Sequence, residues 1–542
     1  MYSSKDVHIS EMQTIGGITV KKLPPSIFND VIGPIMRGPS SSHVAGASRI
    51  GALVRAALNS DVKKAVVDFD VNGSLAESHD GHGTDMGFIC GIMGMEITDP
   101  GSANYQKIAE EKGISAEFRI SDYGAVHPNH YRIEAFSSDG KSQKWDAVSV
   151  GGGMVEMISF DGFKISLAGD FYELLIKLDE SKMGGLSASD FTEAFFPDAD
   201  FILYDKKDTV TLAEVKLASI PDKKALAALQ RAACAAEFVL LPPILPVHSR
   251  RDCQVPFLTA SDMLRYAEKN GLEMWELAAL YEARRGDISR EEVLEKMSEI
   301  AAIMENCVDE GLKGTEYRDR ILGRQSHLIE KKNEKLIPCS LLNEVIKSIT
   351  AVMEVKSSMG VIIAAPTAGS CGCLPGTIIA AARHMNLSRE DIAKALLAAG
   401  LIGIFIAHSA TFAAEAAGCQ VECGAASGMT AAGMAQLMGG SPAECVCAAS
   451  MALQSVTGLA CDPVANRVEV PCLGKNIMGG TNAISAANMA LAGYDIVIPL
   501  DETIAAMYDI GQKLPIELRC TFGGLGKTPA SLAIRKKLEG KA

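Results

Sequence analysis

The sequence predicts a multidomain protein with an N-terminal α/β (α+β) domain, a small α+β domain and a C-terminal all-α domain. Three observations support this fold class. A chain of 542 residues is too long for one hydrophobic core, so two to four domains are expected. Apolar and polar residues alternate with period two in several segments before residue 245, as in half-buried strands. After residue 256 the chain is rich in Ala and Gly and contains helix-capping patterns.

The first domain is predicted to span residues 1–165 and to alternate strands with helices. Strands are expected at Ala65–Val71, Ala116–Ile120 and His130–Ser137, and the last two show period-2 alternation. A helix is expected over residues 44–57, directly after a Gly-Pro turn. This order of elements indicates an α/β or α+β unit.

Residues 166–245 are predicted to form a second, small domain. Strands are expected at Phe171–Glu180, Thr209–Ile220 and Glu237–Leu241, with a helix over Lys223–Ala236. This order resembles an ACT domain, a common amino-acid-sensing module. A structural spacer with the same element order is the alternative, and the pattern alone leaves both open.

The helical domain is predicted to begin at residue 257, after a linker at residues 246–256. The sequence around the linker is rich in proline, which is typical of connecting segments. Helix starts are expected at Ser289, Ser388 and Ser441, because an acidic residue stands three positions after each serine.

Composition and charge exclude several classes of protein. Hydrophobic residues make up 48% of the chain and charged residues 22%, as in soluble globular proteins. The net charge of −14 and the lack of a basic cluster argue against nucleic acid and anionic membranes as partners. The apolar stretch Ala395–Ala407 is too short to cross a bilayer and suits a buried helix. The first seventeen residues have no apolar core typical of a signal peptide, so a cytoplasmic protein is expected.

Cysteine usage points to thiolate chemistry. The chain has 14 cysteines, no C-x-x-C pair, and a strong bias toward its C-terminal half. In a cytosolic protein such cysteines are metal ligands or small core residues rather than disulfides. Cys419, Cys461 and Cys472 each lie beside a glycine or proline or an Asp-Pro pair. Three thiolates would leave one iron of a four-iron, four-sulfur (4Fe-4S) cluster open as a Lewis acid.

These patterns do not by themselves choose three ligands out of fourteen. Cys423 is the strongest competitor, since it follows Cys419 by four residues and would share a helix face with it. Two closely spaced pairs are expected to face different ways and to serve in packing. They are Cys371 with Cys373 and Cys445 with Cys447.

Several loops are candidates for binding a small anion or a polar ligand. Gly38-Pro-Ser-Ser-Ser-His43 precedes a helix whose N-terminal amides favour a carboxylate, although serines there also serve as simple caps. Gly81–Asp85 places His82 between two glycines, where it would act as a base or be merely solvated. Residues 365–376 form a second hydroxyl-rich loop before a helix, and Ser149–Gly153 is a glycine-rich loop without the dinucleotide fingerprint. The Gly479–Asn482 segment would hold a polar group or start a helix.

Taken together, these motifs resemble those of the iron–sulfur-dependent L-serine dehydratases. GPSSSH, GHGTD and SVGGG are similar to the β part of that family; APTAGS, AAGCQ, ACDPVANRVEVPC and GKNIMGGTNA are similar to the α part. The resemblance covers roughly residues 27–160 and 255–530, and the motifs occur in the family's order.

The resemblance implies a set of site residues. Cys419, Cys461 and Cys472 are implied as the ligands of a 4Fe-4S cluster. His82 is implied as a catalytic histidine, and His43 is the substitute candidate for the base. Contacts with the substrate are implied for two loops, at Ser40, Ser41, Ser42, Thr367, Gly369 and Ser370.

This chain departs from the family's pattern at three places. Ala368 stands where many members have Asn, which removes a side-chain hydrogen bond. Lys475 stands where many have Arg, and a lysine is not a bidentate clamp for a carboxylate. Some members end in a cysteine that caps the fourth iron. Here the nearest cysteine is Cys520, so no self-capping tail is expected.

The resemblance implies elimination of water from L-serine to give pyruvate and ammonia. Because the histidine loops and the cysteines lie in different predicted domains, the active site is expected at their interface. The sequence leaves the oligomeric state open, and a homodimer is expected as the commonest case. Another cluster-dependent lyase, acting on threonine, cysteine or a 2-hydroxy acid, is one alternative. A pyridoxal-phosphate dehydratase is a second, and no lysine is singled out for it by its context. A non-enzymatic amino-acid sensor built on the ACT-like segment is a third.

Overall fold

The computed structural model describes residues 12–15, 18–21, 23–232, 234–316, 320–521 and 523–540. The first eleven residues, on which the expectation of no signal peptide partly depends, lie outside the described residues. A short hairpin of β1 (Met12–Ile15) and β2 (Ile18–Lys21) precedes the folded domains. The protein is a multidomain mixed α/β molecule with a helical C-terminal region.

A six-stranded sheet forms the centre of the N-terminal domain. Its order is β5-β4-β6-β7-β8-β9, and only β4 and β5 are parallel. The apolar face of α1 packs on this sheet around the buried Trp145 and Tyr131. The predicted strands are confirmed. The elements are β3 (Ile35–Arg37), α1 (Gly46–Leu58), β4 (Val62–Asp70), α2 (Leu75–Ser78), α3 (Thr84–Met93), α4 (Tyr105–Glu111), β5 (Ser115–Ser121), β6 (His130–Ser137), β7 (Ser142–Gly151), β8 (Met154–Phe160) and β9 (Phe163–Leu167).

The second unit has βαββαβ order with an antiparallel sheet, β11-β12-β10-β13. This is the ferredoxin-like arrangement, in which both helices cover one face. The structure adds one helix, Ala188–Phe195, that the sequence analysis did not predict. The elements are β10 (Tyr172–Asp179), α5 (Ala188–Phe195), β11 (Phe201–Lys207), β12 (Val210–Leu217), α6 (Lys223–Arg231) and β13 (Ala235–Leu241).

The segment predicted as a linker lacks helix and strand and is held firmly by both neighbours. The side-chain amide of Asn29 donates to Val247 O (2.7 Å) and accepts from Val247 N (3.0 Å). Ser249 N donates to Asp170 O at 2.8 Å. Residues 246–256 therefore connect the domains as a packed strap.

The C-terminal region is a bundle of helices around one apolar core. The predicted caps are confirmed, because the Ser289, Ser388 and Ser441 hydroxyls each accept an N–H of the first turn. The elements are α7 (Ala260–Asn270), α8 (Met274–Gly286), α9 (Arg290–Lys313), α10 (Leu328–Lys331), α11 (Ser340–Ser357), β14 (Val361–Ile363), α12 (Cys373–His384), α13 (Arg389–Ser409), α14 (Ala414–Ala417), α15 (Cys423–Leu437), α16 (Pro442–Gln454), α17 (Cys472–Leu491), α18 (Leu500–Lys513) and α19 (Pro529–Leu538).

Helix α13 contains the apolar stretch singled out in the sequence. It is long and apolar enough by composition to cross a bilayer, but 78% of its most apolar window is buried within the protein. It packs against α15, α9 and α8 in the middle of the bundle. These contacts are those of a core helix.

The N-terminal and helical domains share a two-stranded antiparallel ladder between β3 and β14. Directly after β3, Gly38 N donates to Gly360 O at 3.2 Å. A Cβ at Gly38 would lie only 1.9 Å from Lys356 O, so the close approach requires glycine. The ladder therefore holds the serine-rich loop against the helical domain.

Candidate active site

One cavity of about 60 Å³ lies between the N-terminal and helical domains. All the residues that the sequence analysis selected line it, except Ser370. These are Ser40, Ser41, Ser42, His43, His82, Thr367, Gly369, Cys419, Cys461 and Cys472. The largest sequence separation among them exceeds 400 residues, so the fold is what brings them together.

The serine loop forms one wall of the cavity. Residues 41–45 make a single π-helical turn that runs directly into α1. Ser149 Oγ, in the glycine-rich loop segment, donates to Ser42 O at 2.9 Å, and Ser41 Oγ accepts the N–H of Ala368 at 3.3 Å. The wall is a helix start that carries three hydroxyls, which suits a carboxylate.

His43 lies in a hydrogen-bond chain that fixes its tautomer. Ser78 Oγ donates to Ser74 O at 2.6 Å, so it accepts from His43 Nε2 at 2.8 Å. His43 Nδ1 then accepts from Ser40 Oγ at 2.9 Å. Burial, together with the neighbouring His82, lowers the pKa of His43 well below its usual value. Both ring nitrogens are therefore occupied, and the neutral ring polarises Ser40.

His82 has one ring nitrogen free. Its Nε2 lies 2.6 Å from Asn466 O, and a carbonyl can only accept, so Nε2 carries the proton. The other nitrogen, Nδ1, is buried and has no hydrogen-bond partner among the described residues. Burial lowers the pKa of His82 to about 4, against the opposing effect of the Asn466 bond. His82 therefore offers a neutral ring with an unused lone pair at the cavity.

The loop between Cys461 and Cys472 positions the histidine loop across the domain boundary. Asn466 has a positive φ of 54°, which turns its carbonyl toward His82. Arg467 Nη1 donates to Gly81 O at 2.6 Å. The segment that separates two predicted thiol ligands thus also holds the predicted base.

Three cysteines on separate elements converge on the cavity. Cys419 is the first residue of a short 3₁₀ turn after Gly418, whose φ is +76°. The backbone of Cys461 forms an isolated parallel β-bridge with that of Arg519. Cys472 is the first residue of α17. The ligand atoms of Cys419, Cys461 and Glu422 all lie within 4.8 Å of one another. Thiolates in a buried, convergent set are typical of soft or iron–sulfur metal centres.

The interactions among the thiols favour ionisation of Cys419 alone, because the pKa values of Cys461 and Cys472 are both raised, the first chiefly by its bond to Cys419 and the second chiefly by burial. Hydrogen bonds from Cys423 and then Cys461 lower the pKa of Cys419 well below its usual value. Cys423 is buried but does not line the cavity; its sulfur lies 3.7 Å from Asn476 Nδ2 and 3.9 Å from Gly369 O. Cys423 therefore contacts Cys419 from outside the cavity, whereas Cys419, Cys461 and Cys472 all line it.

Two residues discussed as departures from the family's pattern have clear places. Cys520 lines the cavity, and its backbone N–H donates to Cys461 O at 2.9 Å. Lys475 does not line the cavity; its Nζ donates to Ala460 O at 2.6 Å and contacts Asp462 Oδ1 at 2.9 Å. Lys475 therefore braces the loop of Cys461, and a fourth thiol stands at the cavity without a terminal cysteine.

The loop at residues 367–370 forms the opposite wall. Thr367 Oγ1 donates to Glu422 Oε2 at 2.6 Å. Ser370 is completely buried, and its hydroxyl bonds within the loop, to Ala365 O at 3.2 Å. Ser370 thus shapes the loop from behind rather than facing the cavity.

Glu422 and Asn476 are functional candidates that the sequence analysis missed. Asn476 Nδ2 donates to Gly369 O and Cys472 O, both at 2.8 Å, and its Oδ1 accepts from Cys373 N at 2.9 Å. These bonds join the loop at residues 367–370 to α17, whose first residue is the predicted ligand Cys472. Burial, followed by the Cys419 thiolate, raises the pKa of Glu422 to about 8. Asn476 lies within the GKNIMGGTNA motif and Glu422 lies two residues after AAGCQ, but their partners are far away in sequence.

A second, larger cavity of about 260 Å³ lies where the βαββαβ unit meets the other two domains. Lys216 pairs there with Glu173 and Glu214, both at 3.1 Å, and donates to Ser166 O. Arg285 donates to Pro24 O, His248 O and Ser249 Oγ at 2.7 to 2.9 Å. The cations of this cavity are engaged by the protein itself.

Two family models match the chain, and they divide it as the site does. The model described as serine dehydratase beta chain matches residues 30–158, and the model described as serine dehydratase alpha chain matches residues 269–525. The serine loop and His82 fall in the first match, and the cysteines fall in the second. The βαββαβ unit lies between the two.

Similar proteins agree with this division. The probable L-serine dehydratase alpha chain of Bacillus subtilis is 36% identical over 289 residues, which are 53% of this chain and 96% of that protein. The L-serine dehydratase alpha chain of Peptoniphilus asaccharolyticus is 34% identical over 51% of this chain and 97% of its own length. L-serine dehydratase 1 of Escherichia coli is 27% identical over 90% of this chain and 95% of its own length. The chain therefore belongs to the L-serine dehydratase family, and it contains the β and α parts of that family in one polypeptide.

Proposed function

We propose that this chain is an L-serine ammonia-lyase, which eliminates water from L-serine and releases pyruvate and ammonia after hydrolysis of the enamine. The observation that carries the proposal is the convergence of one histidine, one serine loop and three cysteines on a single cavity between the two matched regions. The relatives named L-serine dehydratase, which match most of the chain, support the same reaction.

We further propose that Cys419, Cys461 and Cys472 hold a 4Fe-4S cluster. Three buried thiols on separate elements fit such a group, and the lowered pKa of Cys419 favours the thiolate that a metal requires. When bound through three cysteines, the cluster supplies a Lewis acid with an open position, which helps a hydroxyl group to leave. Cys423 contacts Cys419 but does not line the cavity, and it is not included.

His82 is the general base in this proposal. Removal of the α-proton needs an unprotonated nitrogen beside the substrate, and Nδ1 of His82 is unprotonated and unpartnered. A pKa of about 4 keeps the ring neutral at physiological pH. His43 has no free nitrogen, so it acts through Ser40 as a positioning residue.

The two loops hold the substrate. The hydroxyls of Ser40, Ser41 and Ser42 stand at a helix start, where a carboxylate is favoured. Thr367 and Gly369 face the cavity from the helical domain, and Ser370 supports their loop. Holding both ends of a small substrate between the base and the metal site supplies the orientation that elimination needs.

The test is purification without oxygen, followed by iron and sulfide analysis and by turnover measurements. We expect about four iron and four sulfide per chain, deamination of L-serine, and loss of activity in air that ferrous iron with reductant restores. A colourless, iron-poor preparation that deaminates serine at full rate would overturn the cluster. A preparation without turnover of serine, threonine or cysteine would support the amino-acid sensor instead.

The alternatives among enzymes are separated by the same preparation. Relative rates on serine, threonine, cysteine and 2-hydroxy acids distinguish one cluster-dependent lyase from another. A pyridoxal-phosphate enzyme would absorb as a Schiff base and lose activity with borohydride. Against it, the two lysines near the site, Lys356 and Lys475, donate to the carbonyls of Val468 and Ala460 and do not line the cavity.

We also propose a cytoplasmic homodimer that binds a small amino acid and neither nucleic acid nor membrane. The domain boundaries we propose are 1–165, 166–245 and 257–542, with the packed strap at 246–256. The βαββαβ order of the middle unit supports its likeness to an ACT domain. Light scattering of the purified chain tests the dimer, and calorimetry with amino acids tests the middle unit for ligand binding.

A further inference from the structure

The walls of the active-site cavity have a distinctive charge pattern. Among the described residues that line it there is no lysine or arginine, and the two carboxylates are Glu415 and Glu422. An α-amino acid brings one carboxylate and one ammonium group into such a space. The carboxylate has its partner at the serine loop, so the ammonium group needs a partner among the acidic residues.

Glu422 is held in place by the substrate loop. Its Oε2 accepts a hydrogen bond from Thr367 Oγ1 at 2.6 Å. Its other oxygen, Oε1, has no hydrogen bond among the described residues, and the side chain keeps surface facing the cavity. One oxygen thus fixes the orientation of the carboxylate, and the other is open to an N–H donor.

The position of Glu422 also fits the geometry of the reaction. A carboxylate oxygen of Glu422 lies within 4.8 Å of both the Cys419 and Cys461 sulfurs. His82 and the serine loop line the same small cavity. A ligand that contacts Glu422 through its amino group therefore lies beside the thiols and within reach of the other walls.

We propose that Glu422 binds the ammonium group of the substrate and thereby selects α-amino acids over 2-hydroxy acids. The inference deepens the proposed function and rests on it. An ammonium group makes charge-assisted hydrogen bonds to the carboxylate, whereas a hydroxyl in the same place makes a weaker, neutral one. A 2-hydroxy acid would bring no positive charge to this acidic group, and polar sites reject isosteric ligands by leaving such groups without their partner.

The test uses Glu422→Gln and two ligands that lack a leaving group. L-Alanine and L-lactate differ only in the amino or hydroxyl group on Cα, and neither undergoes elimination of water. The amide oxygen of glutamine still accepts from Thr367, but the other oxygen is replaced by an NH2 donor, so both the charge and the acceptor that faces the ligand are removed. We expect the affinity for L-alanine, measured by calorimetry on the anaerobically purified enzyme, to fall about 30-fold or more. The affinity for L-lactate should change less than about 3-fold. The KM for L-serine should rise by a factor similar to the loss of affinity for L-alanine.

Glu415→Gln is the matched control. It removes the same charge from the same cavity, but among the described residues Glu415 makes no hydrogen bond to the Thr367 loop. We expect a much smaller loss of L-alanine affinity than in Glu422→Gln. An equal loss in both variants, or an equal loss for L-alanine and L-lactate, would overturn the role of Glu422.

Iron and sulfide content separates this inference from the proposed function. Glu422→Gln should keep the iron and sulfide of the wild type; a loss of iron would assign Glu422 to the metal site and overturn ammonium binding. Failure of the wild type to deaminate L-serine would overturn the proposed function instead, whatever the variant does.

Discussion

Two cavities of this molecule differ in a way that separates a site for chemistry from a structural junction. The junction cavity around Lys216 is the larger, at about 260 Å³ against about 60 Å³ for the cavity around His82. The junction also contains more charged groups. However, its lysine and arginine are engaged by carboxylates, carbonyls and a hydroxyl of the protein.

The smaller cavity contains groups whose bonding capacity is unused. His82 Nδ1 is buried without a partner among the described residues, and Glu422 has one oxygen without a hydrogen bond. At the junction Glu214 Oε1 also lacks a hydrogen bond in the described part of the chain, but it lies 3.1 Å from Lys216 Nζ in an ion pair. Buried polar atoms are normally paired, so an unpaired one beside a cavity indicates a ligand site. Of these two cavities, size and charge would favour the junction, whereas unused bonding capacity favours the site between the β and α parts.

The first prediction tests the thiols on the site side of this comparison, where we expect the largest effect. Cys461→Ser should abolish iron binding and turnover together, because it removes one of three ligands. Cys423→Ser should keep the iron, since Cys423 does not line the cavity that the three proposed ligands share. Iron analysis and visible absorbance after anaerobic purification measure both. Equal loss of iron in the two variants would mean that the ligand set is wrong.

The second prediction compares the two histidines of the site. His82→Asn should lower kcat by about 10²- to 10⁴-fold, the usual contribution of a general base, with cluster content unchanged. His43→Asn should cost much less, about 10-fold, because His43 acts on Ser40 and not on the α-proton. Steady-state kinetics on L-serine decides between them. A larger loss of kcat in His43→Asn than in His82→Asn would mean that His43 is the general base and His82 the positioning residue.

The sequence predicted those site residues whose chemistry can be recognised from the neighbouring residues alone. Cysteines beside Gly and Pro and a His between glycines are visible locally, and the family resemblance selects among them. Glu422 was missed because its partner Thr367 is 55 residues away in sequence. Asn476 was missed because its role is to join two backbone segments, which no local pattern records. The tautomer of His82 depends on Asn466, 384 residues away.

The fold shows the same division between local and distant information. Period-2 alternation located the strands β5 and β6, and capping serines located three helix starts. Helix α5 was missed although Ser187 caps it, because it has only eight residues beside two glycines. Residues 246–256 were predicted as a linker from their prolines; their packing depends on Asn29, more than 200 residues earlier.

The third prediction tests the junction side of the comparison. Lys216→Met leaves Glu173 and Glu214 buried without their countercharge, which typically costs about 3–5 kcal/mol of folding free energy. We expect a lower thermal midpoint with an unchanged KM for L-serine. A variant of normal stability with altered KM would contradict the structural role and make the junction part of the substrate site.

The fourth and smallest effect concerns the pH dependence of stability at the junction. Burial raises the pKa of Glu156 to about 7, although Ser166 donates to its Oε1 at 3.0 Å. The pKa in the unfolded chain is near 4.5. Between about pH 4.5 and pH 7 the carboxyl group of Glu156 is therefore protonated in the folded state and ionised in the unfolded chain. Stability due to this group is complete below about pH 4.5 and is lost as the pH rises through 7.

Glu156→Gln removes this loss, because the amide accepts from Ser166 and does not ionise. As the pH rises from 5 to 8, the free energy of unfolding of the variant should increase relative to that of the wild type, by up to about 3 kcal/mol for a pKa shift of this size. Denaturant or thermal unfolding at both pH values measures the difference, and activity reports whether the other cavity is affected. A constant difference between the two proteins from pH 5 to 8 would mean that Glu156 is ionised in the folded state. The junction would then hold one more buried negative charge near Lys216.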